Sequence, residues 1–212
     1  MIKLYAANGE LIAGDISWAT RLEDAIADLN WIHALPGHKV MIKGNHDYWW
    51  NSLAKIKPIL PPSCHLIQNN SFEWGEYIIG GARLWDAPGL KFNDIIDFKV
   101  NERCKKPLTE QDESPESEKI YRRELGRLEV SLKSMSNSSK KRIVMTHYPP
   151  IGHLFQETEA SALLEKYKVE ICVFGHLHNV KKEHRVFGSH GGVIYHLTAC
   201  DYLDDFKPLQ IC

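Results

Sequence analysis

Val40-Met41-Ile42-Lys43-Gly44-Asn45-His46-Asp47 is an apolar run that stops at a glycine and passes straight into metal-binding and phosphate-facing residue types. Short apolar runs bounded by glycine read as buried strands. Three other stretches repeat the pattern. Leu11-Ile12-Ala13 runs into Gly14-Asp15, Ile143-Val144-Met145-Thr146 into His147, and Ile171-Cys172-Val173-Phe174 into Gly175-His176-Leu177-His178. In open α/β sheets, ligands gather just beyond the carboxyl ends of such strands. The four junctions are therefore expected to share one edge of the core.

The residue types at the junctions suit a metal site with open positions, which is hydrolase chemistry. Asp15 offers a carboxylate able to bridge two divalent cations about 3.5–4 Å apart. Asn45 adds a neutral oxygen, and His147 and His176 add imidazole nitrogens suited to Zn, Fe, Mn, Co or Ni. His178 lies two residues after His176 and is expected to serve a second ion. His46 follows Asn45 directly and points away from it, where it can protonate a leaving group. Asp47 is adjacent to His46 and can hydrogen-bond its ring. Each motif alone reads as a turn or a coincidence. Their order and placement together carry the argument.

The segments between junctions read as helices and further strands. Ser17 or Thr20 is expected to cap a helix carrying Leu22, Ala25, Ile26, Leu29 and Ile32, stopped by Pro36-Gly37. A short helix is expected over Trp49 to Leu60, with strands at His65–Gln68 and Glu76–Ile79 and a turn around Asn69-Asn70-Ser71. Ser114-Pro115 looks like an N-cap followed by proline at the first helical position. Tyr121, Leu125, Leu128, Leu132 and Met135 then form a stripe for packing on a sheet. A last helix is expected from Thr158 to Tyr167, then a closing hairpin of Val186-Phe187 and Val193–Thr198. The polar stretch at about 99–119 reads as a mobile insertion within a single domain spanning 1–212.

Bulk composition narrows the function classes. The 212 residues carry a net charge of −1, which gives no general attraction to nucleic acid or an anionic membrane. Nucleic acid is not an expected partner. No stretch is long and apolar enough for a signal peptide or membrane span. Five cysteines without close spacing point to a reducing, cytoplasmic setting. Oligomeric state has no readable signal.

Taken together, Gly14-Asp15, Gly44-Asn45-His46-Asp47, strand-terminal His147 and Gly175-His176-Leu177-His178 resemble the calcineurin-like metallophosphoesterase superfamily over nearly the whole chain. The text around them, such as Lys43 to Trp50 and His147 to Pro150, resembles a bacterial subgroup of predicted phosphohydrolases. The resemblance implies a four-layer α/β/β/α sandwich and a dinuclear centre acting on a small phosphorylated substrate, mono- or diester. It implies that Asp15 bridges the metals. Asn45, His147 and His176 would complete one shell, His178 would belong to the other, and His46 would stand near the leaving group.

The chain departs from that family at its start. Relatives open with an Asp-x-His strand, whereas Met1 to Leu11 contains neither Asp nor His. The expectation is an N-terminally shortened domain, with the lost strand replaced by pairing in trans or lying in a longer product. Even partners behind a ligand are worth 10–100-fold in metal affinity or activity. One well-occupied site and a second weak or empty one are expected. The alternative reading is a catalytically weakened or inactive metal-binding scaffold of the same fold. Trp18 stands where many relatives carry an acidic residue, and Tyr48, Asp86 and Asp201 are further pocket candidates. His153 and His196 are the other histidines to locate first.

Overall fold

Gly9–Ile12 (β1), His38–Ile42 (β2) and Cys64–Ile67 (β3) pair in parallel, in the order β1-β2-β3. The computed structural model describes residues 9–97, 114–182, 187–204 and 207–211. A second sheet holds Ser71–Trp74 (β4), Tyr77–Ala82 (β5), Lys141–Thr146 (β6), Ile171–Phe174 (β7), Ser189–His190 (β8) and Val193–Leu197 (β9). Its order is β4-β5-β6-β7-β9-β8. The inner four strands are parallel, and β4 and β8 close the edges antiparallel.

Period-two alternation decides how the layers stack, because neighbouring strand residues face opposite sides. Val40, Ile42 and Ile67 of the first sheet meet Ile79, Ile143, Met145 and Val173 of the second in one apolar cluster. Met41, Cys64 and Leu66 face the other way, onto Ala25, Leu29 and Ile32 of helix α1 (Leu22–Ala34). Val144, Cys172, Phe174 and Tyr195 pack outward against α3 (Pro115–Ser134) and α4 (Glu159–Lys166). A short α2 (Leu53–Ile56) leads into a 3-10 turn at Lys57–Ile59. The result is the expected α/β/β/α sandwich.

Local chemistry sets the starts of α3 and α4. Ser114 caps α3 by accepting from the Ser117 amide at 3.2 Å, with Pro115 in the first turn. Thr158 caps α4, accepting from Ala160 and Ser161 amides at 3.1 Å. Helix α1 differs from expectation. Neither Ser17 nor Thr20 caps it, and Arg21 holds that position without a side-chain bond. The Ser17 hydroxyl instead donates to Asp28 on the helix itself.

Two other expectations need correcting. The chain from Ser71 to Ala82 is a hairpin turning at Gly75, whose φ is +55°; Glu76 lies in the turn, the expected strand runs from Tyr77 to Ala82, and β4 precedes it. Trp49 and Trp50 lie in a loop, not a helix, because their indole N–H groups are drawn to Asp47 at 3.0 Å and Gln68 at 2.7 Å. Of the 99–119 stretch, residues up to 113 lie outside the described residues, and 115–119 open α3. Val186 also lies outside them. The closing hairpin turns at Gly191-Gly192 between β8 and β9. Among the described residues, no helix is long and apolar enough to cross a membrane.

Lys39 is fully buried on β2. Its ammonium donates to the carbonyls of Leu35, of Gly37 at 2.8 Å and of His33 at 3.3 Å, closing the C-terminal end of α1. A cation there meets the negative end of the helix and its orphan carbonyls. Lys39→Met keeps the bulk and removes the donors, so it is expected to destabilise by about 1–3 kcal/mol. Thermal unfolding followed by circular dichroism reads this as a lowered midpoint, and an unchanged midpoint refutes the cap.

Candidate metal centre

The parallel strands bring their carboxyl ends to one edge of both sheets, where side chains of one sheet reach the chain of the other. His147, one residue past β6, contacts the Ala13 carbonyl beyond β1 through Nδ1 at 2.8 Å. A carbonyl only accepts, so Nδ1 carries the proton and Nε2 presents its lone pair. That Nε2 stands 2.6 Å from Asn45 Oδ1, 3.3 Å from His176 Nδ1 and 3.6 Å from Asp15 Oδ2. Asn45 Oδ1 is also 3.2 Å from His176 Nδ1.

The orientation of the Asn45 amide decides the chemistry of this cluster. With Oδ1 inward, acceptor lone pairs from Asn45, His147 and Asp15 converge with no proton between them. Such a gathering is repulsive alone and favourable around a cation. Ligands that share an ion at about 2.1 Å stand about 3–3.4 Å from one another; Asn45, His147 and His176 stand 2.6 to 3.3 Å apart, and Asp15 meets them through His147 at 3.6 Å. The donor set of imidazole and oxygen fits a transition-metal ion.

Electrostatics keep the imidazoles in the ligating form. Burial pushes the His176 pKa down to about 3, helped by nearby His147, His178 and His46. Burial also lowers His147, with Asp15 pulling the other way. Tyr148 packs against His176 with ring centroids 3.9 Å apart and planes tilted by 32°, which backs that ring.

The backbone at the cluster is bent into the left-handed region. Asp15 has φ +54° and His176 φ +67°, both unusual for residues with a side chain. Gly14, at φ +95°, lies so close that an added Cβ would stand 2.5 Å from His147 Nδ1. These turns aim two chain reversals at one point.

Asp47 occupies a different role from the one its neighbourhood in sequence permits. Its carboxylate is fully buried and accepts from the amides of Ile16 at 2.8 Å, Ser17 at 2.9 Å and Gly44 at 2.7 Å, and from the Trp49 indole at 3.0 Å. It clamps the loop after β1 to the loop after β2. The expected bond to the His46 ring is not among these contacts, because the carboxylate is fully engaged on the opposite side of the chain.

His46 is held by two aromatic residues. Its amide donates to Asp15 Oδ1 at 2.9 Å, rooting it beside the cluster. Its ring lies parallel to Trp18, centroids 4.2 Å apart and planes 6° apart. Its Nδ1 meets the Tyr48 hydroxyl at 3.2 Å, leaving Nε2 as the nitrogen that Tyr48 does not engage. Trp18 and Tyr48 stood out in the sequence only by position. Nothing local announced that either would touch His46.

His178 is not drawn into the four-residue cluster. Its exposed ring bonds Asp201 Oδ1 through Nδ1 at 2.8 Å, while Asp201 Oδ2 accepts from the Asn179 amide at 2.7 Å. A carboxylate behind an imidazole is the usual way to orient a metal-binding ring. His153 lies elsewhere, its Nε2 on Asp94 at 3.0 Å, and His196 sits half-buried on β9. Asn45, His147 and His176 thus converge, Asp15 joins them at His147, His46 borders them, and Asp47 and His178 stand at one remove.

A search of curated proteins found no match for this chain. The family profile described as calcineurin-like phosphoesterase matches residues 6–180, which takes in all four strand-end junctions. With that match across most of its length and the sandwich fold beneath it, the chain belongs to the calcineurin-like phosphoesterase family.

Proposed function

We propose that this protein hydrolyses phosphoesters with Asn45, His147, His176 and Asp15 holding a divalent transition-metal ion, of the Mn, Fe, Zn, Co or Ni group. The family carries out metal-dependent phosphoester hydrolysis. The observation that carries the reading here is the approach of Asn45 Oδ1, His176 Nδ1 and Asp15 Oδ2 to His147 Nε2, within 2.6 to 3.6 Å. Asp15 and His178, backed by Asp201, are the residues left for a second ion, which is expected to bind more weakly. A bound ion supplies Lewis acidity and lowers the pKa of a water from about 15.7 toward about 7.

The chain's own residues do the rest. Water gives up one proton to the solvent and attacks phosphorus in line as the ester P–O bond breaks, so no covalent enzyme intermediate is needed. His46 Nε2 gives a proton to the departing oxygen, and the Tyr48 hydroxyl at Nδ1 holds the ring for that transfer. Trp18 keeps the imidazole from swinging away. Asp47 positions His46 and Asn45 by holding their loop, without touching substrate.

Hydrolysis of p-nitrophenyl phosphate and of bis(p-nitrophenyl) phosphate with added Mn²⁺ tests this. Asn45→Ala and His176→Ala are each expected to lower kcat/KM by more than about 100-fold, together with the bound metal. Activity that survives both substitutions refutes the assignment. Metal retained by the wild-type protein with no turnover of either ester supports the alternative, a metal-binding module without catalysis.

A further inference from the structure

The geometry points to a leaving-group subsite for a flat aromatic ring, floored by Trp18 and walled by Tyr48, which makes aryl phosphoesters the substrate class of this centre. The inference rests on the phosphoester-hydrolase reading above.

Its starting point is an indole 71% exposed and yet held in a defined place. Trp18 lies flat against the His46 imidazole, and the smaller ring covers only part of the indole face. A tryptophan this exposed adds little to the core, and with Tyr48 it leaves open aromatic surface beside the polar cluster. Tyr48, 52% exposed, stands edge-on to the same imidazole, centroids 6.0 Å apart and planes 84° apart. Trp18 is parallel to the imidazole and Tyr48 nearly perpendicular to it, so the indole and phenol planes stand nearly at right angles around His46, and we read the angle between them as a corner. The His46 amide bonds Asp15, so the corner borders the metal-type cluster.

A flat ring laid on the uncovered part of the indole shares the layer of the imidazole. Its ester oxygen then faces His46, and its phosphorus faces the cluster beyond. An aliphatic group fills the same corner without stacking. Offset stacking on the indole favours the ring by about three- to tenfold.

Calorimetric titration of the Mn²⁺-loaded protein with two inert probes, phenylphosphonate and methylphosphonate, reads this without turnover. The expected result is tighter binding of phenylphosphonate by about three- to tenfold. Trp18→Ala erases that preference and Trp18→Phe keeps most of it. Because Trp18 is so exposed, its loss leaves folding intact, which a thermal melt verifies. In kinetics, the ratio of kcat/KM for phenyl phosphate over methyl phosphate falls by the same factor in Trp18→Ala. An equal fall for both esters overturns the inference, since Trp18 then only props His46. Equal affinities in the wild type, no binding of either probe, or a preference that survives Trp18→Ala overturns it as well. A binding preference that depends on Trp18, with neither ester hydrolysed, upholds the subsite and rejects the hydrolase reading instead.

Discussion

Asp47→Ala is expected to destabilise the protein by about 3–5 kcal/mol and to strip the bound metal. The carboxylate is fully buried and serves four N–H donors, from Ile16, Ser17, Gly44 and Trp49. Removing it leaves those donors buried without a partner, and each unsatisfied group costs about 1–3 kcal/mol before relaxation. The donors lie on two loops that carry Asp15 and Asn45, so the loops part and the cluster opens. Asp47→Asn separates the two consequences. It keeps an acceptor for Ile16, Ser17 and Trp49 and turns an NH2 group toward the Gly44 amide, so about half the stability loss is expected. Urea unfolding gives the free energies and elemental analysis gives the metal. An Asp47→Ala protein with wild-type stability and full metal content would sink the clamp.

Gly44→Ala is the second large effect, and it arises from space alone. An added Cβ at this position would stand 2.1 Å from Asp15 Oδ1 and 2.2 Å from the Asp15 backbone nitrogen. One of those atoms is main chain already bent to φ +54°, so it has little freedom to retreat. Overpacking of this kind costs about 1–3 kcal/mol, and the displaced group here is the carboxylate that meets His147 and the His46 amide. Loss of metal and of hydrolysis by more than about 100-fold is expected, exceeding the stability effect. A Gly44→Ala crystal structure with Asp15 unmoved, or an enzyme with undiminished turnover, would contradict the packing argument. This separates the outcome from Asp47→Ala, where folding and metal fail together.

Much of the centre was legible before any coordinates. Asp15, Asn45, His147 and His176 stand where apolar runs end at glycine or threonine, and a strand end is a local property of a few residues. The α3 cap was legible for the same reason, since Ser114 and Ser117 are close neighbours in the chain. The β4–β5 hairpin was read less well. β4 is an edge strand without a fully buried face, so its hydrophobic alternation is weak.

The failures share one cause. Ser17 was a plausible helix cap, and the fold spent its hydroxyl on Asp28 and its amide on Asp47. Asp47 sits next to His46, yet adjacent residues on an extended loop face opposite sides, and two of its four partners, Ile16 and Ser17, lie some thirty residues upstream. Side-chain type and spacing told which chemistry this chain can support and at which ends of which strands, because both follow from local backbone preference. Which groups touch was settled only when two sheets closed face to face. Stacking of Trp18 on His46, the grip of Asp47 on two loops and the pairing of His178 with Asp201 depend on distances across that closure. No short window of sequence encodes those distances.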